Sequence, residues 1–501
     1  MYSRSWSRLH ADDSVGHPAF VTEYGLWDDR QAAAAEQIEA GLGEVDLVRL
    51  VFCDPHGLAR SKTLATEAFR AVLGNGMDFS PGPFLLDTGH AVAVDFLGDP
   101  GVGVDEVAGA GDFVLVPDPL TFQVLPGDGP RVAWVLGDEF LRSGLPHPLS
   151  TRAVLRQVCA RYGALELTPV IGLEVEWYLT RLLDGPAGNA GNGFGTQGAA
   201  PRVRAVNSGY QFNLDTYSAS VGAVTDPLAL TLLDLGLPLR SMEHESGPGQ
   251  LETTFSPMTA LDAADAMLLF RTLVKQACAR SGHHASFMSL PRVDGFDPSG
   301  WHLHQSVQDA KTGRNLFSAG GTDQLSGEGR AYVDGLLSRA RDLCLLSVPT
   351  VNGYRRLGPG YSLAPTRIGW SVEDRGALVR VIGAGGSTHV ENRAGEPCAN
   401  PYLAIAAQLY AGLSGHIGAR QPAGPPATGD RVAELLPQSL GESLAAFRSG
   451  PAEDLLGRPL TSCLVKLKES EAARFAAWCE RERPAEGEVS EWEQREYFEN
   501  Y

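Results

Sequence analysis

Apolar and polar residues alternate along this chain with two periods, and the switches between them predict where helices and strands fall. Residues 27–42 (WDDRQAAAAEQIEAGL) are Ala-rich, with acids in the first turn and Gly43 at the end, a helix pattern. VDLVRLVFC (45–53) predicts a strand, DPHG (54–57) a turn, and residues 64–73 a short helix closed by Gly74, Asn75 and Gly76. DFVLVPDP (112–119) predicts a buried strand ending at two prolines. PGDGP (126–130) is the best linker candidate, dividing a small sheet-and-helix domain (1–127) from a larger one (128–501).

The larger part is expected to open with a strand at 131–136 and a helix near 151–162, with Val154, Leu155, Val158 and Tyr162 on one face. A strand over 169–180 follows. Residues 184–202 are too rich in Gly, Ala and Asn for a packed element and predict a flexible insertion. Thr259 and Asp262 resemble a capping box before a helix near 260–280, whose Met267, Phe270, Val274 and Ala277 repeat at helical spacing. A second helix, near 328–346, carries Val333, Leu336, Ala340 and Leu343 on one stripe. Both stripes are expected to pack in the core. Residues 421–427 predict a loop, and the tail is charged and helical.

Composition narrows the function classes. The net charge of −19 argues against nucleic acid or an anionic membrane as the main partner. No apolar run follows the N-terminal basic residues, and no window approaches the roughly 18 apolar residues of a membrane span. The seven cysteines are scattered without a Cys-x-x-Cys pair, which reads as reduced core residues in a cytoplasmic protein.

Candidate chemistry gathers in a few stretches. MEHESGPGQLETTF (242–255) sets Glu243, Glu245 and Glu252 around a Gly247-Pro248-Gly249 turn. A turn that returns Glu252 towards Glu245 makes an oxygen-rich pocket suited to Mg²⁺ or Mn²⁺. Acids beside such turns also commonly sit in solvent, so the stretch alone leaves both readings open. In GLEVEWYL (172–179), Glu174 and Glu176 lie two apart in a predicted strand and share a face. Adjacent like charges repel unless a cation separates them, the other reading being a solvated sheet face. SGWHLHQSV (299–307) alternates His302 and His304, one placed to complete a carboxylate metal shell and the other to reach a phosphate. Arg355, Arg356, Arg375, Arg380 and Arg393 follow, with Glu391 facing the same way as Arg393 in a strand. A planar guanidinium suits carboxylates and phosphates.

In this order the residues resemble the glutamine synthetase family. The resemblance runs almost the full length, through DFVLVPDP, E-x-E at 174–176, HESGPGQLE, SGWHLHQS, NGYRRLGPGY, DRGALVRV, ENRAGEPCANPYLAIAA and SEWEQREYFENY. It implies an α+β fold, with an N-terminal β-grasp domain and a catalytic domain built on a curved antiparallel sheet. It also implies stacked rings, a homo-oligomeric dodecamer of two hexamers, with active sites between neighbouring subunits. By the same resemblance, Glu176, Glu245 and Glu252 hold one divalent metal (Mg²⁺ or Mn²⁺), and Glu174, His302 and Glu391 a second. His304 and Ser306 lie on the ATP side, and Arg375 and Arg380 hold the transferring phosphate. Arg356, Arg393 and Gly300 bind L-glutamate. Glu243 gains no role and is expected to be structural. The implied chemistry is phosphorylation of the γ-carboxylate of glutamate by ATP, followed by displacement of phosphate by an amine.

Departures from the family cluster on the amine side. Ordinary members carry a catalytic Glu directly after Pro-Gly-Tyr; here Pro359-Gly360-Tyr361 is followed by Ser362 and Leu363. The N-terminal loop acid is either displaced to Asp78 or replaced by Phe79, and the residue before His302 is Trp301. Ammonium needs carboxylates to attract and deprotonate it, so a pocket of Asp78 or Phe79, Trp301, Ser362 and Leu363 favours a small apolar or aromatic amine. The chain in this respect resembles the γ-glutamylanilide synthetases. An ammonia-using glutamine synthetase and a catalytically silent ring-forming relative are the other readings. Residues 428–440 hold no Tyr where some bacterial members carry a nucleotidylated one, so that control is expected to be missing.

Overall fold

The computed structural model describes residues 18–127, 129–183, 193–210, 212–319, 324–358, 363–417, 434–485 and 487–501. Two sheets organise them. The smaller has six strands, in the order Ala59–Ala65, Leu47–Cys53, Val132–Phe140, Phe113–Pro117 and Met77–Phe79, with Gln123–Val124 added to Val132–Phe140. Leu47–Cys53 and Val132–Phe140 run parallel and the other pairs antiparallel. Asp28 and Gln31 cap the helix Asp29–Gly41 reciprocally, satisfying N–H groups that a helix start leaves without partners.

Val132–Phe140 corrects the expected division of the chain. The sequence pattern assigns it to the larger domain, yet it lies inside the small sheet, between Leu47–Cys53 and Phe113–Pro117. Ala133, Trp134, Val135 and Leu136 are all buried, a continuous apolar run that suits a strand covered on both faces. A boundary at residue 127 would cut one sheet in two.

The larger sheet has ten strands. Its main path is Trp370–Val372, Val379–Ile382, His389–Asn392, Trp301–Asp309, Leu167–Leu182, Gln250–Phe255 and Leu239–His244. All neighbours on it are antiparallel except the first two. Leu167–Leu182 is the hub, since Val203–Ala205, Met258–Thr259 and His283–Ser286 also pair with it. Its Leu173, Val175 and Trp177 are buried in the core, which the helices Thr151–Gly163, Ala260–Arg280 and Pro401–Ile417 help to enclose. That leaves the opposite face, with Glu174 and Glu176, for chemistry.

The expected helix near 328–346 is two helices, Gly327–Ser338 and Cys344–Ser347; of its apolar stripe Val333, Leu336 and Leu343 are buried and Ala340, between the helices, is half-buried. Pro401–Ile417 crosses the first so closely that a Cβ on Gly415 would stand 2.0 Å from the carbonyl oxygen of Ala331. Ser218–Asp234 is a helix that the period does not predict: Pro227 lies inside it, and exposed Leu230 and Leu233 blur the apolar face. The tail is helical as expected, over Ala452–Glu482 and Glu491–Tyr497. The expected insertion at 184–202 falls partly, and the loop at 421–427 wholly, outside the described residues. Among the described residues no helix is long and apolar enough to cross a membrane.

Candidate active site

Strand period and register assemble the site. Gly172, Glu174 and Glu176 share one face of Leu167–Leu182. Glu252 lies directly across from Glu176 on one side, and His302 across from Glu174 on the other. His304 stands opposite Gly172 and, on its far side, opposite Glu391, which in turn faces Arg380. Five adjacent strands thus deliver acids, imidazoles and a guanidinium to one surface. Gly172 leaves room for the imidazole, because a Cβ there would lie 3.1 Å from the Cβ of His304.

His302 Nδ1 is 2.6 Å from Glu174 Oε1 and 3.4 Å from Glu391 Oε1, and His304 Nε2 is 3.1 Å from Glu174 Oε2. Two groups of donor atoms lie within 4.8 Å of one another: Glu174, Glu252 and His302, and Glu174, His304 and Glu391. Burial pushes Glu174 up, but the hydrogen bonds with His302 and His304 outweigh it and hold the carboxyl well below its usual range. Glu245 and Glu252 go the other way. Burial first, then the charge of Glu176 on the former and of Glu174 on the latter, raise them to about 8 and about 10. Carboxyls this reluctant to ionise are short of positive charge. Oxygen and imidazole donors at this spacing fit a divalent cation.

The surface is the floor of a cavity of about 1230 Å³. At one end Arg356, buried, stands 3.3 Å from His302 Nε2 and donates to the carbonyl oxygens of Ala394 (3.3 Å) and Gly395 (3.5 Å). It forms no ion pair with a described carboxylate. Gly300 makes its seat: a Cβ there would lie 2.5 Å from Arg356 Nη2, and the Gly300 N–H donates to Glu176 Oε2 at 2.8 Å. Arg393 is ion-paired with Glu391 and donates from Nε to the Arg375 carbonyl at 2.9 Å. Arg380 bridges Glu391 (3.3 Å) and Glu373 (2.7 Å). Arg375 is exposed on the cavity wall and pairs with no described acid. Beyond His304, whose Nδ1 lies 3.1 Å from His389 Nε2, Ser306 and Thr388 continue the wall.

Residues 148–497 match the family model of the glutamine synthetase catalytic domain. The chain belongs to the glutamine synthetase family. A γ-glutamylanilide synthase from an Acinetobacter species is 39% identical to it, over 96% of this chain and 98% of its own. A glutamine synthetase of Halobacterium salinarum is 31% identical, over 94% and 97%. The solved structure of apo GmaS without ligand superposes with a TM-score of 0.71 at 26% identity, covering 91% of this chain and 97% of that one. Glutamine synthetase family enzymes are ATP-dependent and use divalent metal ions, and this protein is an ATP-dependent carbon–nitrogen ligase with the family's α+β fold.

In this glutamine synthetase family member, Glu174, Glu176, Glu245, Glu252, His302, His304, Ser306, Arg356, Arg375, Arg380, Arg393 and Leu363 line the one cavity. Glu391 lies fully buried against them, and Gly300 sits under Arg356. The donor atoms do not sort into the two metal sets the resemblance implies: Glu174 is shared, and His304 stands with Glu174 and Glu391. Glu243 requires a correction. The hairpin register sets it directly opposite Glu252, and it lines the cavity. Trp301 requires another: alternate strand residues face opposite ways, so with His302 in the cavity the indole is buried in the core. Asp78 is exposed, with its carboxylate 3.0 Å from Arg142, and the Phe79 ring packs 4.9 Å from Phe52. Neither lines its own chain's cavity. Ser362 and Pro359–Tyr361 lie outside the described residues.

Gly172, Gln250 and His389 also line the cavity, and sequence reasoning passed over them. Gln250 Nε2 donates to Ser299 Oγ (3.0 Å) and to Glu176 Oε2 (3.4 Å). Each lies two residues before a recognised acid, so the period that placed Glu174, Glu252 and Glu391 on the face was the available signal.

Proposed function

We propose that this ligase joins the γ-carboxylate of L-glutamate to a small apolar or aromatic amine, with ATP as co-substrate. The carrying observation is the asymmetry of the cavity. Acids, imidazoles and arginines crowd its floor, whereas the stretch from Leu357 to Val372, which borders it through Leu363 and Ala364, contains no Asp or Glu. The full-length similarity to a γ-glutamylanilide synthase supports the same choice of amine.

Arg356, buried and ion-paired with no carboxylate among the described residues, is suited to hold a carboxylate of glutamate. Mg²⁺ or Mn²⁺, two or more per site, held by Glu174, Glu176, Glu245, Glu252, His302 and Glu391, would neutralise charge between the phosphates and the γ-carboxylate. His304, Ser306 and Arg380 orient the nucleotide, and Arg375 neutralises the moving phosphoryl group. A γ-carboxylate oxygen attacks the γ-phosphorus of ATP, and the bond to the bridging oxygen breaks to release ADP. The amine nitrogen then attacks the acyl carbon of the γ-glutamyl phosphate, phosphate departs with the electron pair, and the nitrogen gives up a proton. An arylamine is neutral at pH 7 and needs no strong base, in keeping with Ser362 where ammonia-using members carry an acid.

The working form in this proposal is a ring-forming homo-oligomer, a dodecamer of two hexamers, with sites between subunits. Asp78 and Phe79 support it, because they lie away from their own cavity and would reach one only in a neighbour. Glu243 favours a second reading, ammonium as the amine, since this cavity acid pairs with no described base. Phosphate release from ATP and glutamate with ammonium, alkylamines, polyamines and anilines separates the two. Anilines should give the highest rate; a clear preference for ammonium would remove the proposal.

A further inference from the structure

The C-terminal helix Glu491–Tyr497 is tied through Glu493 to Asn352 and Arg355, next to Arg356. Glu493, fully buried, accepts four hydrogen bonds on its carboxylate. Arg355 donates from Nε and Nη2, each at 3.0 Å, in a bidentate fork. Asn352 Nδ2 donates at 3.1 Å and the Ser490 N–H at 2.8 Å. Arg355 and Arg356 are neighbours on the short helix Gly353–Arg356, so their side chains leave it about 100° apart. One is locked to the C-terminal helix, and the other points into the cavity.

A second branch runs from the same carboxylate. Asn352, also fully buried, holds Leu290 by both backbone groups, accepting its N–H at 2.7 Å and donating to its carbonyl at 3.1 Å. Next to Leu290, Ser289 binds Ser299 in both directions, accepting the Ser299 N–H on its carbonyl (2.6 Å) and donating its hydroxyl to the Ser299 carbonyl (3.0 Å). Ser299 leads into Gly300, the seat of the Arg356 guanidinium. Both the helix that carries Arg356 and the backbone beneath it are therefore tied to Glu493.

We propose that Glu493 is a positioning residue: acting through Arg355 and Asn352, it holds Arg356 in the geometry that captures the glutamate carboxylate. This builds on the proposed function, which assigns glutamate to Arg356. A charge-assisted fork on a fully buried carboxylate is a stiff anchor, and a misplacement of about 1 Å at a substrate-holding group costs up to about a hundredfold in rate.

The test is steady-state kinetics of the full-length protein carrying Glu493→Ala, Glu493→Gln, Arg355→Ala, or Glu493→Ala with Arg355→Ala, beside a crystal structure of Glu493→Ala. Expected is a rise of about tenfold or more in KM for glutamate for each single alanine variant, with KM for ATP within about twofold. The double variant should be no worse than the worse single one, because the two residues act in series. Glu493→Gln keeps the shape and one of the two accepting oxygens but loses the charge, so its KM for glutamate should fall between those of the unaltered protein and Glu493→Ala, and it carries the test together with Arg355→Ala should Glu493→Ala not fold. In the crystal Arg356 should leave the carbonyl oxygens of Ala394 and Gly395. An unmoved Arg356 with unchanged KM for glutamate overturns the proposal, as does a parallel rise of both KM values with a falling Tm. Should the unaltered protein form no ADP with glutamate and any amine, the proposed function fails, and the position of Arg356 in the variant crystal alone decides the positioning role.

Discussion

Glu245 and Glu252, two of the proposed metal ligands, carry strongly raised carboxyls. With carboxyls raised to about 8 and about 10, both are largely protonated at pH 7 in the metal-free protein. A metal takes carboxylates as ligands, so binding must expel those protons, and affinity should rise with pH to about 8 as Glu245 ionises and less steeply on to about 10 as Glu252 does. Titration of Mg²⁺ or Mn²⁺ in buffers of different ionisation enthalpy should register proton release at pH 7; binding with no proton release and no dependence between pH 6 and 8 would contradict this. Gly300 gives a second prediction. A Cβ there would collide with Arg356 Nη2, so Gly300→Ala should raise KM for glutamate by about tenfold or more at a nearly unchanged Tm. At this scale the sequence was legible wherever a residue's partner sits on the same short motif. Glu174 and Glu176 needed only a period of two to share a face. The same rule shows that Trp301 cannot line the cavity beside His302, and that Glu243 must accompany Glu252 once the hairpin register is known.

The hairpin of Leu239–His244 and Gln250–Phe255 is the element on which the acids depend. Its turn is closed by the Gln250 N–H donating to the Gly247 carbonyl at 3.0 Å, and Gly249 has φ +76°. A Cβ on Gly249 would stand 2.4 Å from the carbonyl oxygen of Leu179 on the central strand. Gly249→Ala should therefore cost roughly 1–3 kcal/mol and lower activity along with Tm, because Glu245 and Glu252 flank the strained turn. An unchanged Tm would show that the turn yields without disturbing the strand. Helices with clean stripes, Thr151–Gly163 and Ala260–Arg280, were readable from local pattern alone. Val132–Phe140 was readable as a strand but not as a member of the small sheet, since its partners lie at 47–53 and 113–117 and pairing over such separations leaves no local mark. The break after Ser338 and the helix Ser218–Asp234 were hidden for a related reason, as close helix crossings and an internal proline act against the local period.

For the whole molecule, the family and the α+β fold follow from motifs spread over nearly the full length, whereas the proposed dodecamer would depend on surfaces between chains. Asp78 and Phe79 lie in the small sheet, away from their own cavity. Light scattering should return the mass of a dodecamer; an active monomer would exclude sites shared between subunits. Five adjacent strands carry Glu174, Glu252, His302, Glu391 and Arg380, on which the proposed phosphotransfer rests. The proposed choice of amine rests on the acid-free stretch from Leu357 to Val372, and one competition reaction probes it most directly. Glutamate and ATP are supplied with equimolar ammonium and aniline, and the two products are counted by mass spectrometry. A glutamate–arylamine ligase predicts that γ-glutamylanilide dominates over glutamine; glutamine in clear excess would contradict it.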